Sequence, residues 1–191
     1  GNGGDGIRVG RSSIVSGCIA RNNDGDGIET DTSCVGADCA AEANGAGGLG
    51  SGIVAGAANI VRNCTVVSNR NHGIDADQGS TVTNCTASGN GTAVFGDGIR
   101  VNADCLVRDN TCTGHLNGAG IAVTNIQNRI DSNNVSFNNT GLSVTGATNF
   151  IARNTASANT LTNYSIAAGN SLGEIITGAG VRSLSSTASW A

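Results

Sequence analysis

Proline, methionine and lysine are missing from this 191-residue sequence, and aromatic residues make up only 3% of it. So few rings exclude a core built from large aromatic side chains. Val, Ile, Ala, Cys and Thr must fill any interior, and such residues suit closely wound strands better than helix bundles. With no proline, turns fall to the 30 glycines and to Asn, Ser and Thr. Their even spread argues for regularly spaced turns and against a disordered linker. All ten basic residues are Arg, scattered along a chain of formal net charge −4, which argues against nucleic-acid binding. No apolar run approaches the length of a membrane span, so membrane insertion is not expected. Seven Cys, an odd number without a paired framework, leave the redox compartment open. No leader segment is visible, and the chain opens in mid-pattern at Gly1-Asn2-Gly3-Gly4-Asp5-Gly6-Ile7. It therefore reads as one domain over 1–191, processed or excerpted from something longer, with regular coils over 1–168 and a closing segment over 169–191.

What is present is a repeat. A Gly-Ile type pair recurs with its apolar member at Ile7, Ile28, Ile53, Ile74, Ile99, Ile121 and Leu142, in steps of 21 to 25 residues. A weaker eighth start falls near Ile166. Each pair is followed by a second apolar segment, as at Ile14-Val15, Ile60-Val61 and Leu106-Val107. A third segment carries Cys18/Ala20, Cys39/Ala41, Cys64/Val66, Cys85/Ala87, Asn110/Cys112, Asn133/Val135 and Asn154/Ala156. Five residues after the first member of each stand Asn23, Asn44, Asn69, Asn90, His115, Asn138 and Asn159. Apolar and polar residues alternate inside each segment, as in a strand with one buried face. Three such strands, separated by Gly/Asn/Asp turns, make a coil of about 22 residues, and stacked coils lie about 4.8 Å apart. Six-residue periodicity is absent, which excludes a left-handed hexapeptide helix. The calcium-binding nonapeptide is matched only once, at the amino end.

The Gly-Ile-x-Val, Ile-Val-x-Asn-Cys-Thr and Asn pattern resembles the parallel β-helix repeat of the pectate-lyase-like superfamily. The resemblance covers nearly the whole chain. It implies an all-β, right-handed parallel β-helix of about seven to eight coils, with three short strands per coil and an asparagine ladder at one turn. It also implies a secreted or cell-surface location. The superfamily holds polysaccharide lyases, glycoside hydrolases, uronan epimerases, phage tailspikes and non-catalytic surface proteins, so fold alone does not select a function.

In such a ladder His115 reads as a structural substitute for Asn, and His72, beside Gly73, as a solvated turn residue. Cys18, Cys39, Cys64 and Cys85 fall in one column and read as small apolar fillers. Cys34 and Cys105 lie three coils apart, which leaves Cys34 with Cys39 as the pair to test for oxidation.

The resemblance places any substrate groove on the first strand face. Alternation sends Arg8, Glu29, Val54, Asp75 and Arg100 outward in one column, and Asp31, Gly56, Asp77 and Asn102 in the next. Asp75 and Arg100 stand on adjacent coils within ion-pair reach. Glu29 and Asp75 stand two coils apart, about 10 Å between backbones, compatible with an acid/base carboxylate pair. Glu29, Asp75 and Arg100 are thus the candidate catalytic residues, with Asp31, Asp77, Asn102 and Phe95 as substrate contacts. Asp24, Asp26 and Asp31 are candidate oxygen ligands for calcium, although no cofactor is required. The same charges also read, without any site, as a solvated repeat surface that keeps the chain soluble.

Against catalysis, the Asn-Thr-Asp, Asp-Asp, Gly-His-Gly and Arg-Ile-Lys motifs of galacturonan hydrolases are absent, as is the Lys-rich groove of pectate lyases. Phe95 and Tyr164, both assigned to turns, are the only plausible stacking platforms. Phe137 and Phe150 are expected to pack inside, and Trp190 lies at the terminus. Insertions at Gly45–Ser51 and Gly91–Asp97 are expected to project from one edge. The leading expectation is a non-catalytic extracellular solenoid contacting glycans, or copies of itself through its coil ends. The alternative is a polysaccharide lyase, hydrolase or epimerase using the acidic and Arg face.

Overall fold

In the computed structural model, residues 2–93 and 95–173 are described, with backbone alone at 176–177. Trp190 and most of the expected closing segment lie outside the described residues. The chain is a right-handed solenoid of three parallel sheets, with no helix among the described residues. The first sheet stacks Ile7–Val9, Ile28–Thr30, Ile53–Ala55, Ile74–Ala76, Ile99–Val101, Ala119–Val123, Thr140–Val144 and Thr162–Ile166. The second runs from Ile14–Ser16 to Ser171–Leu172, and the third from Ile19–Arg21 to Ile176–Thr177.

Three-residue strands suffice because each residue pairs with the coils on both sides, so neighbouring coils complete the hydrogen bonding. Register is direct: Ile28 pairs with Ile53, Ile53 with Ile74 and Ile74 with Ile99. Identical side chains therefore stack into the apolar columns that form the core, with Val61, Val82 and Val107 facing them from the second sheet and Val66 and Ala87 from the third. The last coil begins earlier than the sequence suggests. Tyr164 pairs with Leu142 and is buried in the first column, its hydroxyl donating to the Asn154 carbonyl at 2.6 Å. It is not a turn platform. Phe137 and Phe150 also differ from expectation, since both lie on the surface.

A single left-handed residue makes each corner between strands. Between the second and third strands these are Gly17, Asp38, Asn63, Asn84, Asp109, Ser132 and Arg153, with φ between 53° and 64°. The residue after each is a rung. The expected Asn ladder at the third turn is present: Asn69 Nδ2 donates to Asn90 Oδ1 at 2.8 Å and to the Ala41 carbonyl at 3.0 Å. His115 serves as its rung, accepting the Asn90 N–H on Nδ1 at 3.1 Å with Nε2 set 3.2 Å from the Ala87 carbonyl. Burial pushes its pKa down, which suits a neutral ring.

The other two turns carry ladders as well. At the first turn bonds pass upward from Cys34 through Asn59 to Ser80, and again from Cys105 through Asn128 and Asn149 to Asn170, as in Asn128 N–H to Asn149 Oδ1 at 2.8 Å. At the second turn the Cys column continues as Asn110, Asn133 and Asn154. Its thiols are therefore more than apolar filler, because each also donates to a backbone carbonyl. All seven cysteines are free, Cys34 and Cys39 included.

One core position is underfilled. Gly36 is buried in the second sheet between Val15 and Val61, and a Cβ there would meet no heavy atom within 4 Å. Gly36→Ala should therefore stabilise the fold by about 1 kcal/mol, from filled space and reduced unfolded-state freedom. Urea unfolding of the two chains, compared at equal slope, measures this.

Candidate functional site

The outer face of the first sheet carries three columns of side chains. The central column is Arg8, Glu29, Val54, Asp75 and Arg100 in direct register. Arg8 pairs with Glu29 at 3.2 Å and Arg100 with Asp75 at 3.4 Å, so the charges form two ion pairs separated by Val54. On one flank Asp31 pairs with Arg11 at 3.5 Å, and Asp77 accepts the Asn102 amide at 2.9 Å. The hydrogen bonds from Asn102 and from the Gln78 N–H hold the Asp77 carboxyl below its ordinary range. Those from the Thr32 N–H and hydroxyl do the same for Asp31.

The other flank was not legible from the strand alternation. Two residues before each first-column Ile or Leu lies an edge column that includes Asp5, Asp26, Ser51, His72 and Asp97. Its side chains accept the N–H one coil on: Asp5 from Asp26 at 2.9 Å, Asp26 from Ser51 at 2.6 Å, His72 from Asp97 at 3.0 Å, and Asp97 from Ala119 at 2.8 Å. His72 is no solvated turn residue. Its side chain is 11% exposed, and Nδ1 lies 3.4 Å from Asp97 Oδ2. Since Nδ1 accepts, the neutral ring carries its proton on Nε2, which has no hydrogen bond to a described residue.

Among the described residues, one group of three acidic side chains has the compactness of a metal site. Carboxylate oxygens of Asp5, Asp26 and Glu29 lie within 4.8 Å of one another. Of the three ligands expected from sequence only Asp26 is there. Asp24 lies beneath the Gly45–Ser51 turn, where Gly47 approaches its Cβ, and Asp31 faces Arg11 across the sheet. That turn folds back onto the preceding coil, with Gly47 N–H donating to the Asp24 carbonyl. Burial first, then proximity to Asp5, pushes the Asp26 carboxyl up, against the Ser51 N–H that pulls it down. Burial and Asp5 likewise raise Glu29. A carboxyl whose pKa is raised by folding weakens the fold while ionised, and the penalty disappears as pH falls through that raised value. Asp26→Asn keeps an acceptor for Ser51 and loses the charge. It should therefore melt at or above the parent temperature at pH 7, with the difference closing below about pH 4, the ordinary carboxylate range. Paired thermal melts across pH check this.

Two hollows lie on this face. One, of about 440 Å³, is lined by Arg8, Glu29, Asp31, Val54 and Gly56 among others. The second, of about 340 Å³, is lined by Val54, Gly56, Asp75, Asp77, Arg100 and Asn102 among others. They share Val54 and Gly56, so they form one shallow trough along the solenoid axis. The candidate acid/base pair divides between its halves, Glu29 in one and Asp75 in the other. Phe95 is fully outside, 85% exposed, and lines neither hollow.

Fold and face together define a right-handed parallel β-helix with an open trough on its first sheet. The chain belongs to the family described as right handed beta helix region, whose pattern matches residues 1–96. No curated protein matches the sequence. Among solved structures, a periplasmic alginate epimerase, AlgG, superposes with a TM-score of 0.76 at 15% identity, covering 91% of this chain and 47% of its own. A protein named XylC, in complex with xylose, gives 0.67 at 13% identity, covering 86% and 36%. The pectate lyase Pel9A gives 0.56 at 14%, covering 95% and 56%. The chain thus spans about half or less of the first two proteins it resembles, and the likeness is one of fold.

Proposed function

We propose that the chain is an extracytoplasmic glycan-binding solenoid segment, which holds an extended, uncharged polysaccharide along the first sheet without transforming it. The carrying observation is the continuous trough and its charge. Its lining has four carboxylates, Glu29, Asp31, Asp75 and Asp77, against two guanidinium groups, Arg8 and Arg100. Such a surface repels a polyanion, while carboxylates accept sugar hydroxyls and Arg and Asn102 donate to them. The epimerase, the xylose complex and the lyase support a carbohydrate partner, and the periplasmic epimerase supports the location.

Affinity electrophoresis through gels containing neutral or uronan polysaccharides tests this reading. Retention by a neutral glycan is expected, reduced at least tenfold by Arg100→Ala and by Val54→Arg, which lays a long side chain across the join. No retention by any glycan, or retention indifferent to both substitutions, would sink it.

One observation favours a second reading, a polysaccharide-active enzyme. His72, three residues before Asp75, has its Nδ1 fixed by Asp97 and its Nε2 without a hydrogen bond to a described residue. A uronan substrate would then need a cation to offset the trough's charge. Asp5, Asp26 and Glu29 are the donor set for calcium there, with water completing the six to eight oxygens it takes. Product from a uronan that disappears with Asp75→Ala would establish this reading over the first.

A further inference from the structure

The second-turn cysteines are the largest set of potential ligands outside the trough. Cys18, Cys39, Cys64 and Cys85 occupy four successive coils and share one side-chain conformation. Each Sγ lies 3.1 to 3.3 Å from the carbonyl two residues earlier in its own chain. Backbone register is kept on both sides of the column. Ala40, Thr65 and Thr86 donate to the carbonyls of Cys18, Cys39 and Cys64, and Gly17, Asp38 and Asn63 donate to those of Ala37, Arg62 and Thr83. The four thiols are thus related by little more than the coil translation of about 4.8 Å.

That spacing selects a chemistry. A disulfide needs Cβ atoms about 3.8 Å apart, so stacked rungs would have to be drawn together against the sheet on either side. A metal ion bound in a line between two sulfurs needs twice a metal–thiolate bond, which at the zinc–thiolate length of about 2.3 Å is about 4.6 Å. The ion would lie on the axis between sulfurs that already point the same way. Soft thiolate ligands select Cu(I) over hard cations, and two rungs cannot supply the four ligands that zinc prefers.

We propose that adjacent rungs of this column, Cys64 with Cys85 and Cys18 with Cys39, bind thiophilic ions of two-coordinate preference, Cu(I) first among them. Four thiols used pairwise hold two ions. In the Cys64–Cys85 pair the Cys64 N–H reaches Cys85 Sγ at 3.5 Å, while the Cys64 thiol donates to the Arg62 carbonyl at 3.2 Å. Thiolate is the form of Cys that binds a metal, so both thiols of a pair give up their protons, and each Cu(I) bound releases two. Cys18, half-buried at the amino end of the run, offers the way in. The remaining thiols are isolated: Asn59 and Ser80 separate Cys34 from Cys105, and Cys112 stacks between Ala87 and Val135.

The test is an anaerobic titration of the reduced full chain with Cu(I) delivered from a chromophoric chelator, with proton release counted alongside. Two ions per chain held more tightly than any others, each with two protons released and a two-sulfur shell in X-ray absorption, are expected. Cys64→Ser with Cys85→Ser should leave one, and replacing Cys34, Cys105 and Cys112 together should leave two. Serine is a tolerated rung, as Ser80 shows by accepting the Asn59 N–H and donating to the Gly56 carbonyl. Uptake that scales with total thiol count, occurs only after denaturation, or stays at two ions in Cys64→Ser with Cys85→Ser would overturn the proposal.

Discussion

Replacing Asn69 by Leu should cost about 4 kcal/mol, a large share of the stability of an ordinary domain. The side chain has no exposed surface and is bonded through both ends of its amide. Its oxygen accepts the Asn44 N–H at 3.0 Å and the Asn44 amide at 2.9 Å, while its nitrogen serves Asn90 Oδ1 and the Ala41 carbonyl. Leu has the same branched heavy-atom skeleton as Asn and is the bulkier of the two, so little of the loss comes from a cavity. What remains is the Asn44 N–H and the Ala41 carbonyl without their side-chain partner, each worth about 1–3 kcal/mol, while Asn44 Nδ2 keeps the Ala20 carbonyl and Asn90 Oδ1 keeps the Asn69 N–H. Whole-domain stabilities are only about 5–15 kcal/mol, so this single change consumes much of the margin. Urea titration followed by circular dichroism reads the effect. Asn134→Ala, on the exposed face of the third sheet, should shift the same curve by no more than about 0.5 kcal/mol. Equal losses at the two positions would show that the ladder is not what holds the coils together.

The ladder at that turn was legible because Asn repeats there almost without interruption and His115 could stand in for it. The first-turn ladder was not, although it is built the same way. Its rungs alternate among Cys, Asn and Ser until Asn128, and a column of mixed residues looks like ordinary turn composition. The common cause is backbone. A left-handed residue turns each corner, and whichever short polar side chain follows it faces the coil interior. Ala58, Asp104, Gln127 and Thr148 all take that conformation, so no single residue type announces it. Tyr164 was misplaced for a related reason. The last coil has Asn163 where the others have Gly, and the Ile used to find it, Ile166, sits two residues past the true start.

The trough was half legible. Strand alternation places Glu29, Asp75 and Arg100 correctly on one face, because side chains two apart on a strand must share it. Alternation says nothing of Asp5, Ser51, His72 and Asp97, which lie in the turn before the strand. The column keeps a constant offset of two residues from the Gly-Ile pair, but its members change among Asp, Ser and His, so no single residue type marks it. The structure aligns it because each of these side chains reaches a backbone N–H one coil on. Asp24 illustrates the converse. Proximity to Glu29 in sequence suggested a shared ligand set, yet the turn carries it under Gly47.

Gly73→Ala should be nearly as damaging, and it should reach the trough as well as the fold. A Cβ on Gly73 would stand 2.5 Å from the Gly98 carbonyl, 2.7 Å from Asn90 Nδ2 and 2.8 Å from Val66 Cγ2. None of these can move freely. The Gly98 carbonyl accepts the Ile74 N–H at 2.9 Å, Asn90 is a ladder rung, and Val66 is in the core. Relief must come from spreading two coils, which strains packing by about 1–3 kcal/mol and weakens at least one hydrogen bond worth about 1 kcal/mol. The total is about 3 kcal/mol. Gly48→Ala, whose Cβ would meet nothing within 4 Å, should leave stability unchanged within about 0.5 kcal/mol. Spreading at Gly73 also moves its neighbours: His72 precedes it, and Asp75 follows two residues later with Arg100 on the next coil. Glycan retention measured well below the melting temperature should therefore fall in Gly73→Ala while the chain is still folded, and persist in Gly48→Ala. A folded Gly73→Ala chain with full retention would mean that the ligand does not depend on the spacing of these two coils. The Gly-Ile pair that first betrays the repeat is thus a constraint on the trough, since the missing side chain lets one coil approach the next closely enough for Asp75 and Arg100 to meet.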